Sequence, residues 1–169
     1  MSKALLIIDI QNDYFEGGRF PLANAEQVLV NIKRAVSKAR ESAIPIVLVQ
    51  HISQNEKSPF FVKGTEGVKI CPSLLELVPD TPTVIKEHAD SFYETNLENI
   101  LTNLGVTELL ICGMMTQNCI THTAISKSAE KYQVSVVGDC CATVSPTLNA
   151  IALRALTTRI AIIDVDDIK

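Results

Sequence analysis

Basic residues are in the minority in this chain. Fifteen Lys and Arg stand against 19 Asp and Glu, a net charge of −4, with the two signs interspersed. Phosphate backbones and anionic bilayers are bound by basic stripes, and none is present, so neither nucleic acid nor membrane is expected as a partner. Long apolar runs are missing too. The first covers only residues 4–8 before it closes at Asp9, too short for the core of a signal peptide or for a bilayer span. The five cysteines are odd in number and lack framework spacing, which suits a reducing compartment, and a cytoplasmic protein is the expectation. Histidine is scarce: His51, His88 and His122 are too scattered to form a ligand cluster, and neither a metal nor a cofactor is expected. No glycine-rich loop follows the first apolar run, which removes dinucleotide oxidoreduction. Internal repeats, linkers and low-complexity stretches are also lacking.

What is present is a globular composition, 47% hydrophobic and 20% charged over 169 residues, enough for one domain over 1–169 that buries roughly 70% of its unfolded surface. Six short apolar runs rich in Val, Ile and Leu recur at 4–8, 46–50, 83–86, 108–112, 134–138 and 160–163. Runs without alternation read as strands buried on both faces. Between them lie helical patterns. Val28, Ile32, Ala35, Val36, Ala39 and Ala43 mark one face of the first, with Lys33, Arg34, Lys38 and Arg40 opposite and Pro45 as its stop. Further helices are predicted over about 94–103, from Thr116 or Gln117 to about Lys131, and after the Ser145-Pro146 signature. Alternating strands and helices imply right-handed crossovers and a parallel sheet covered on both faces. The stretch from His51 to about Pro72 has no clear period, and long loops of that kind tend to be functional.

Ligands of open parallel sheets bind beyond the carboxyl ends of the strands, where the strand order reverses. Asp9, Lys86 and Cys119 lie at or just past such ends. Cys119 follows the run Leu109-Leu110-Ile111-Cys112, a glycine and a polar turn, a context that places the thiol at a helix start. Unpaired backbone N–H groups there, with Lys86 nearby, lead us to expect a depressed thiol pKa and early alkylation by iodoacetamide. Each residue alone has an ordinary structural explanation; their joint placement is what points to a site. Cys71, Cys112, Cys140 and Cys141 read as packing residues.

Three ordered segments carry a resemblance over nearly the whole chain: Leu6-Ile7-Ile8-Asp9-Ile10-Gln11-Asn12-Asp13-Tyr14-Phe15; Lys86 with Ser91-Phe92-Tyr93-Glu94-Thr95-Asn96-Leu97; and Cys112-Gly113-Met114-Met115-Thr116-Gln117-Asn118-Cys119. The chain resembles the isochorismatase-like cysteine hydrolases, a superfamily that includes nicotinamidases, N-carbamoylsarcosine amidases and isochorismatases. The resemblance implies a three-layer α/β/α sandwich with a six-stranded, mainly parallel sheet. It also implies a triad of Asp9, Lys86 and Cys119, an oxyanion hole from the backbone N–H groups of Met115 and Cys119, a cis peptide between Met114 and Met115, and a homo-oligomer, dimer or tetramer. The substrate would be a small molecule. Gln11, Phe15, His51, Phe61, Phe92 and Thr116 are candidates for contact with it, the phenylalanines as apolar walls; His51 has the equal alternative of capping a loop, and core packing is the other reading of Phe92. Metal-binding nicotinamidases carry Asp-x-His after the second strand, where this chain has Gln50-His51-Ile52. True isochorismatases cleave a vinyl ether without a cysteine nucleophile, so Cys119 favours hydrolysis of an amide-type carbon–nitrogen bond. Vinyl ether hydrolysis, nicotinamide hydrolysis and a non-catalytic scaffold stand as alternatives. A phosphoacceptor receiver domain does not fit, because Lys86 follows the third run and Gly138-Asp139 the fifth.

Overall fold

The computed structural model describes residues 2–169. All six apolar runs are strands: β1 Lys3–Ile8, β2 Ile46–His51, β3 Thr83–Lys86, β4 Glu108–Met114, β5 Gln133–Ala142 and β6 Ala161–Ile163. The helices are α1 Ala25–Glu41, α2 Pro72–Leu75, α3 Leu97–Asn103, α4 Thr121–Ala124 and α5 Pro146–Leu156. The strands form one sheet in the order β3-β2-β1-β4-β5-β6, and every pairing is parallel. The order reverses between β1 and β4, so a crevice for ligands is expected past Ile8 and Met114.

The sheet is buried on both faces, which is why its strands carry apolar runs instead of alternation. Leu5, Ile7, Leu48, Leu110 and Cys112 pack with Val28, Leu29, Ile32, Ala35, Val36 and Ala39 of α1. Ala4, Leu6, Ile8, Val47, Val49, Leu109 and Ile111 pack on the opposite face with Leu97 and Leu101 of α3, Ala124 of α4 and Leu156 of α5. The triad thiol belongs to this second layer. The Ser145-Pro146 signature works as read: the Ser145 hydroxyl accepts the N–H of Leu148, and Pro146 opens α5.

Two predicted elements differ. The helix expected from Thr116 or Gln117 to about Lys131 is broken into a π-helical turn over Thr116–Ile120, the short α4 and a 3-10 turn over Lys127–Lys131. Ser126 lies at the second break and donates its hydroxyl to Asp90 Oδ2 at 2.7 Å, so a tertiary bond competes with helical continuation. The strand expected over 134–138 runs on to Ala142 through an irregularity in the ladder, where Ile111 faces Val136 but Gly113 faces Cys141. Inside it, Asp139 Oδ1 accepts the N–H of Val165 and the Asp139 carbonyl accepts Asn31 Nδ2. Gly138-Asp139 therefore lies inside the irregular stretch of the strand and does not end it. Gly113 is at φ 129° and sits so close to β1 that an added Cβ would lie 2.0 Å from the Ile8 carbonyl oxygen. Only glycine lets β4 turn this closely against the strand that delivers Asp9.

Candidate active site

Asp9 leaves β1 in the left-handed region, φ 55°, a conformation in which Asp and Asn are enriched. Its N–H is held by the Val49 carbonyl at 2.9 Å, so the carboxylate emerges at the point where the sheet order reverses. Lys86 ends β3, directly opposite His51 of β2 in the parallel register. Cys119 lies within the π-helical turn after β4, whose carbonyl at Met115 accepts the N–H groups of Asn118 and Ile120. The Met114–Met115 peptide is cis, as the resemblance implied.

The three side chains meet under cover: Asp9 is 0%, Lys86 1% and Cys119 3% exposed. Lys86 Nζ donates to Cys119 Sγ at 3.3 Å, to the His88 carbonyl at 3.0 Å, and contacts His51 Nδ1 at 3.1 Å. Asp9 Oδ2 lies 2.9 Å from the same nitrogen as an ion pair, so the three N–H groups of the ammonium are shared among four acceptors, and the carboxylate keeps acceptor positions open. A buried carboxylate with open acceptor positions beside a thiol is equipped to receive a proton.

The thiol pKa departs from the sequence expectation. Burial first, and then the charge of Asp9, hold the Cys119 thiol well above its ordinary value, against the opposing pull of Lys86. The reason is charge counting in a dry site: one cation compensates one anion, and that anion is Asp9 while the thiol keeps its proton. Lys86 itself is raised by Asp9 and Cys119 in spite of burial, which opposes the shift, and so stays charged. The resting pair is Asp9 carboxylate with Cys119 thiol, and transfer of one proton between them leaves the net charge of the site unchanged.

The other candidate residues separate into groups. His51 joins the triad through Nδ1, and the Phe61 ring stands 5.9 Å from its imidazole, centroid to centroid. Phe92 packs in the same apolar layer as Cys119, with its ring stacked on Tyr132, which fits the core reading. Thr116 opens the turn that carries Cys119, and its hydroxyl is donated to Asn149 Oδ1. Gln11, expected to reach across the site, is instead consumed by structure. Its Nε2 donates to the carbonyls of His51 and Val68 at 2.8 and 2.7 Å, and its Oε1 accepts the His51 N–H at 2.9 Å. Phe15 packs in the α1-side layer and borders a concavity with Asn12, Asp13, Glu16 and Arg19 that includes no triad residue. Other concavities also lie away from the triad, among them one of about 330 Å³ between Gln117, Thr121, Ile125 and α5.

The unperiodic loop after His51 is tied to the site by an aromatic cluster that sequence reasoning did not assemble. Tyr14 and Phe61 stand 4.5 Å apart, Phe60 and Phe61 4.9 Å, and Phe20 and Phe60 4.7 Å. Asp13 clamps the loop by accepting the Phe61 N–H at 2.7 Å. Tyr14 is close enough to the site that, after burial, the charges of Asp9 and Cys119 push its phenol up. Its place five residues past Asp9 was the available signal. Among the described residues no group of three or more His, Cys, Asp or Glu converges as metal ligands. With His51 Nδ1 turned to an ammonium, these donors do not fit the metal used by nicotinamidases.

The comparisons with known proteins agree with this fold. The sequence model of the isochorismatase domain matches residues 3–166. An uncharacterised isochorismatase family protein of Bacillus subtilis is 41% identical over 143 residues, covering 85% of this chain and 79% of its own. An Arabidopsis thaliana protein named as a probable inactive nicotinamidase is 31% identical over 165 residues, 88% of this chain and 84% of that one. Among solved structures, an isochorismatase family protein from Desulfovibrio vulgaris superposes with a TM-score of 0.88 at 26% identity, covering 98% of this chain and 95% of the other. The chain belongs to the isochorismatase family of hydrolases.

Proposed function

We propose that the protein is a cysteine hydrolase that cleaves an amide-type carbon–nitrogen bond of a small molecule through a thioester on Cys119. The observation that carries this reading is the buried triangle in which one ammonium, Lys86, faces both a thiol and a carboxylate with open acceptor positions. Binding of substrate brings a carbonyl carbon to Sγ. Asp9 takes the thiol proton as the carbon–sulfur bond forms, and the carbonyl oxygen becomes an oxyanion received by the N–H groups of Met115 and Cys119. Collapse breaks the carbon–nitrogen bond, and Asp9 passes the proton to the departing amine. A water molecule then attacks the thioester with Asp9 again as base. The acid is released and the thiol regains its proton. Through these steps Lys86 remains the single compensating cation while the negative charge moves between carboxylate, sulfur and oxyanion.

This chemistry needs no metal, since the sulfur is the nucleophile and the backbone donors polarise the carbonyl. The test is release of ammonia or amine from a panel of small amides before and after treatment with EDTA. Turnover is expected, with the same rate after chelation. Activity that is lost on chelation and restored by one divalent ion would overturn the metal-free mechanism and return nicotinamidase chemistry to first place.

A further inference from the structure

The ammonium of Lys86 has three N–H groups and four anionic or lone-pair neighbours within 3.3 Å: His51 Nδ1, the His88 carbonyl, Cys119 Sγ and Asp9 Oδ2. The ammonium is therefore shared, and His51 Nδ1 and the His88 carbonyl fix its direction between Asp9 and Cys119. His51 is in turn fixed by its backbone: its N–H and its carbonyl are both held by the Gln11 carboxamide, and its ring stands against Phe61. Gln11 itself is completely buried and anchored to the loop at Val68. Gln11 thereby ties the loop at Val68 to the end of β2 that carries His51.

We propose that His51 is a positioning residue of the hydrolase site, held as the neutral Nε2–H tautomer so that its bare Nδ1 takes one N–H of Lys86 and holds the ammonium between Asp9 and Cys119. The inference rests on the hydrolase reading above and assigns to His51 a task other than contact with substrate. Removing the acceptor at Nδ1 leaves a buried N–H of the ammonium without that partner and lets Nζ turn away from Cys119, so the sulfur loses its compensating charge as the proton leaves. Protonating the imidazole has the same effect, because Nδ1–H would meet Nζ–H. Burial first and Lys86 next hold the imidazole below its ordinary value, with His88 adding to the shift and Asp9 and Glu87 opposing it. His51 is therefore neutral at pH 7, and it charges only as the pH falls below the ordinary histidine value of about 6.5. His88, the other nearby imidazole, is on the exposed side and pairs with Glu94 at 3.4 Å.

The experiment has two readouts. In protein labelled with nitrogen-15 at its three histidines, His51→Asn identifies the His51 signals, which at pH 7 are expected to show a protonated Nε2 and a bare Nδ1. A protonated Nδ1, in the other tautomer or in the imidazolium, overturns the proposal. In kinetics with an amide turned over by the wild type, His51→Leu is expected to lower kcat by about tenfold or more with KM changed by less than about threefold. His51→Asn retains an acceptor near the Nδ1 position and does not titrate, so it is expected to stay within about threefold of wild type with the acid limb of kcat displaced to lower pH. A His51→Leu protein with unchanged kcat, or with a loss confined to KM, overturns the proposal. The labelled-protein readout needs no substrate. A failure of the hydrolase reading would show as absent wild-type turnover beside the expected tautomer, whereas failure of this inference shows as the wrong tautomer or an unaffected kcat.

Discussion

Replacement of Cys119 by alanine is expected to abolish hydrolysis and leave the fold in place. The sulfur is 3% exposed and packs with Ile120, Ala124 and Phe92, so its removal leaves a space of about one methyl group, a cost of roughly 1 kcal/mol. Against that modest structural effect stands the loss of the sulfur on which the proposed thioester forms. Turnover below about a hundredth of wild type is expected in a protein with an unchanged circular dichroism spectrum. Retention of more activity than that would remove covalent catalysis by this thiol, because among the described residues Lys86 bonds no other cysteine: Cys112, Cys140 and Cys141 are buried in the sheet, where burial raises each thiol, and Cys71 contacts Ser73. The alternative of vinyl ether hydrolysis would survive such a result.

Replacement of Asp9 by asparagine is expected to be equally damaging to turnover, for a different reason and with an opposite effect on the thiol. An amide cannot accept and return the proton, so both acylation and deacylation stop. The same substitution removes the anion that, after burial, does most to hold the Cys119 thiol up, and leaves Lys86 without a carboxylate. A buried ammonium without a counter-charge is costly, and the sulfur 3.3 Å away is the group able to supply one. The thiol of Asp9→Asn is therefore expected to ionise at lower pH than that of the wild type and to react faster with iodoacetamide near pH 7, in a protein with no turnover. Peptide mapping of the alkylated protein checks both parts. Slower alkylation at Cys119 in the variant would contradict the charge counting on which the mechanism rests.

That charge counting is also where sequence reasoning failed. The approach of Lys86 to Cys119 was legible, since both follow apolar runs that end at one edge of a parallel sheet, and so was the place of Asp9. From these alone a depressed thiol pKa follows. What reversed it is the depth at which Cys119 lies and the second negative group it shares with Lys86, and both are tertiary facts. Gln11 illustrates the same limit. Its position two residues past Asp9 marked it for the site, but its partners are 40 and 57 residues away in sequence, at His51 and Val68, and they turn it into a strut. The strands were legible because residues buried on both faces must be apolar. The helix after Thr116 was not, because its second break comes with the tertiary bond between Ser126 and Asp90. In the fifth strand the apolar run stops at Gly138, yet the Asp139 carboxylate and carbonyl are bound by Val165 and Asn31, and the strand continues through an irregular stretch to Ala142.

The central claim is that an acyl group passes through the sulfur of Cys119, and the most direct measurement is mass spectrometry of the intact protein after rapid acid quench during turnover of a small amide. The account predicts a mass increase equal to the acyl part of the substrate, mapped by proteolysis to the peptide that contains Cys119 and removed by hydroxylamine. Turnover with no adduct at any quench time, or an adduct mapped to Cys71, Cys140 or another residue, would contradict it.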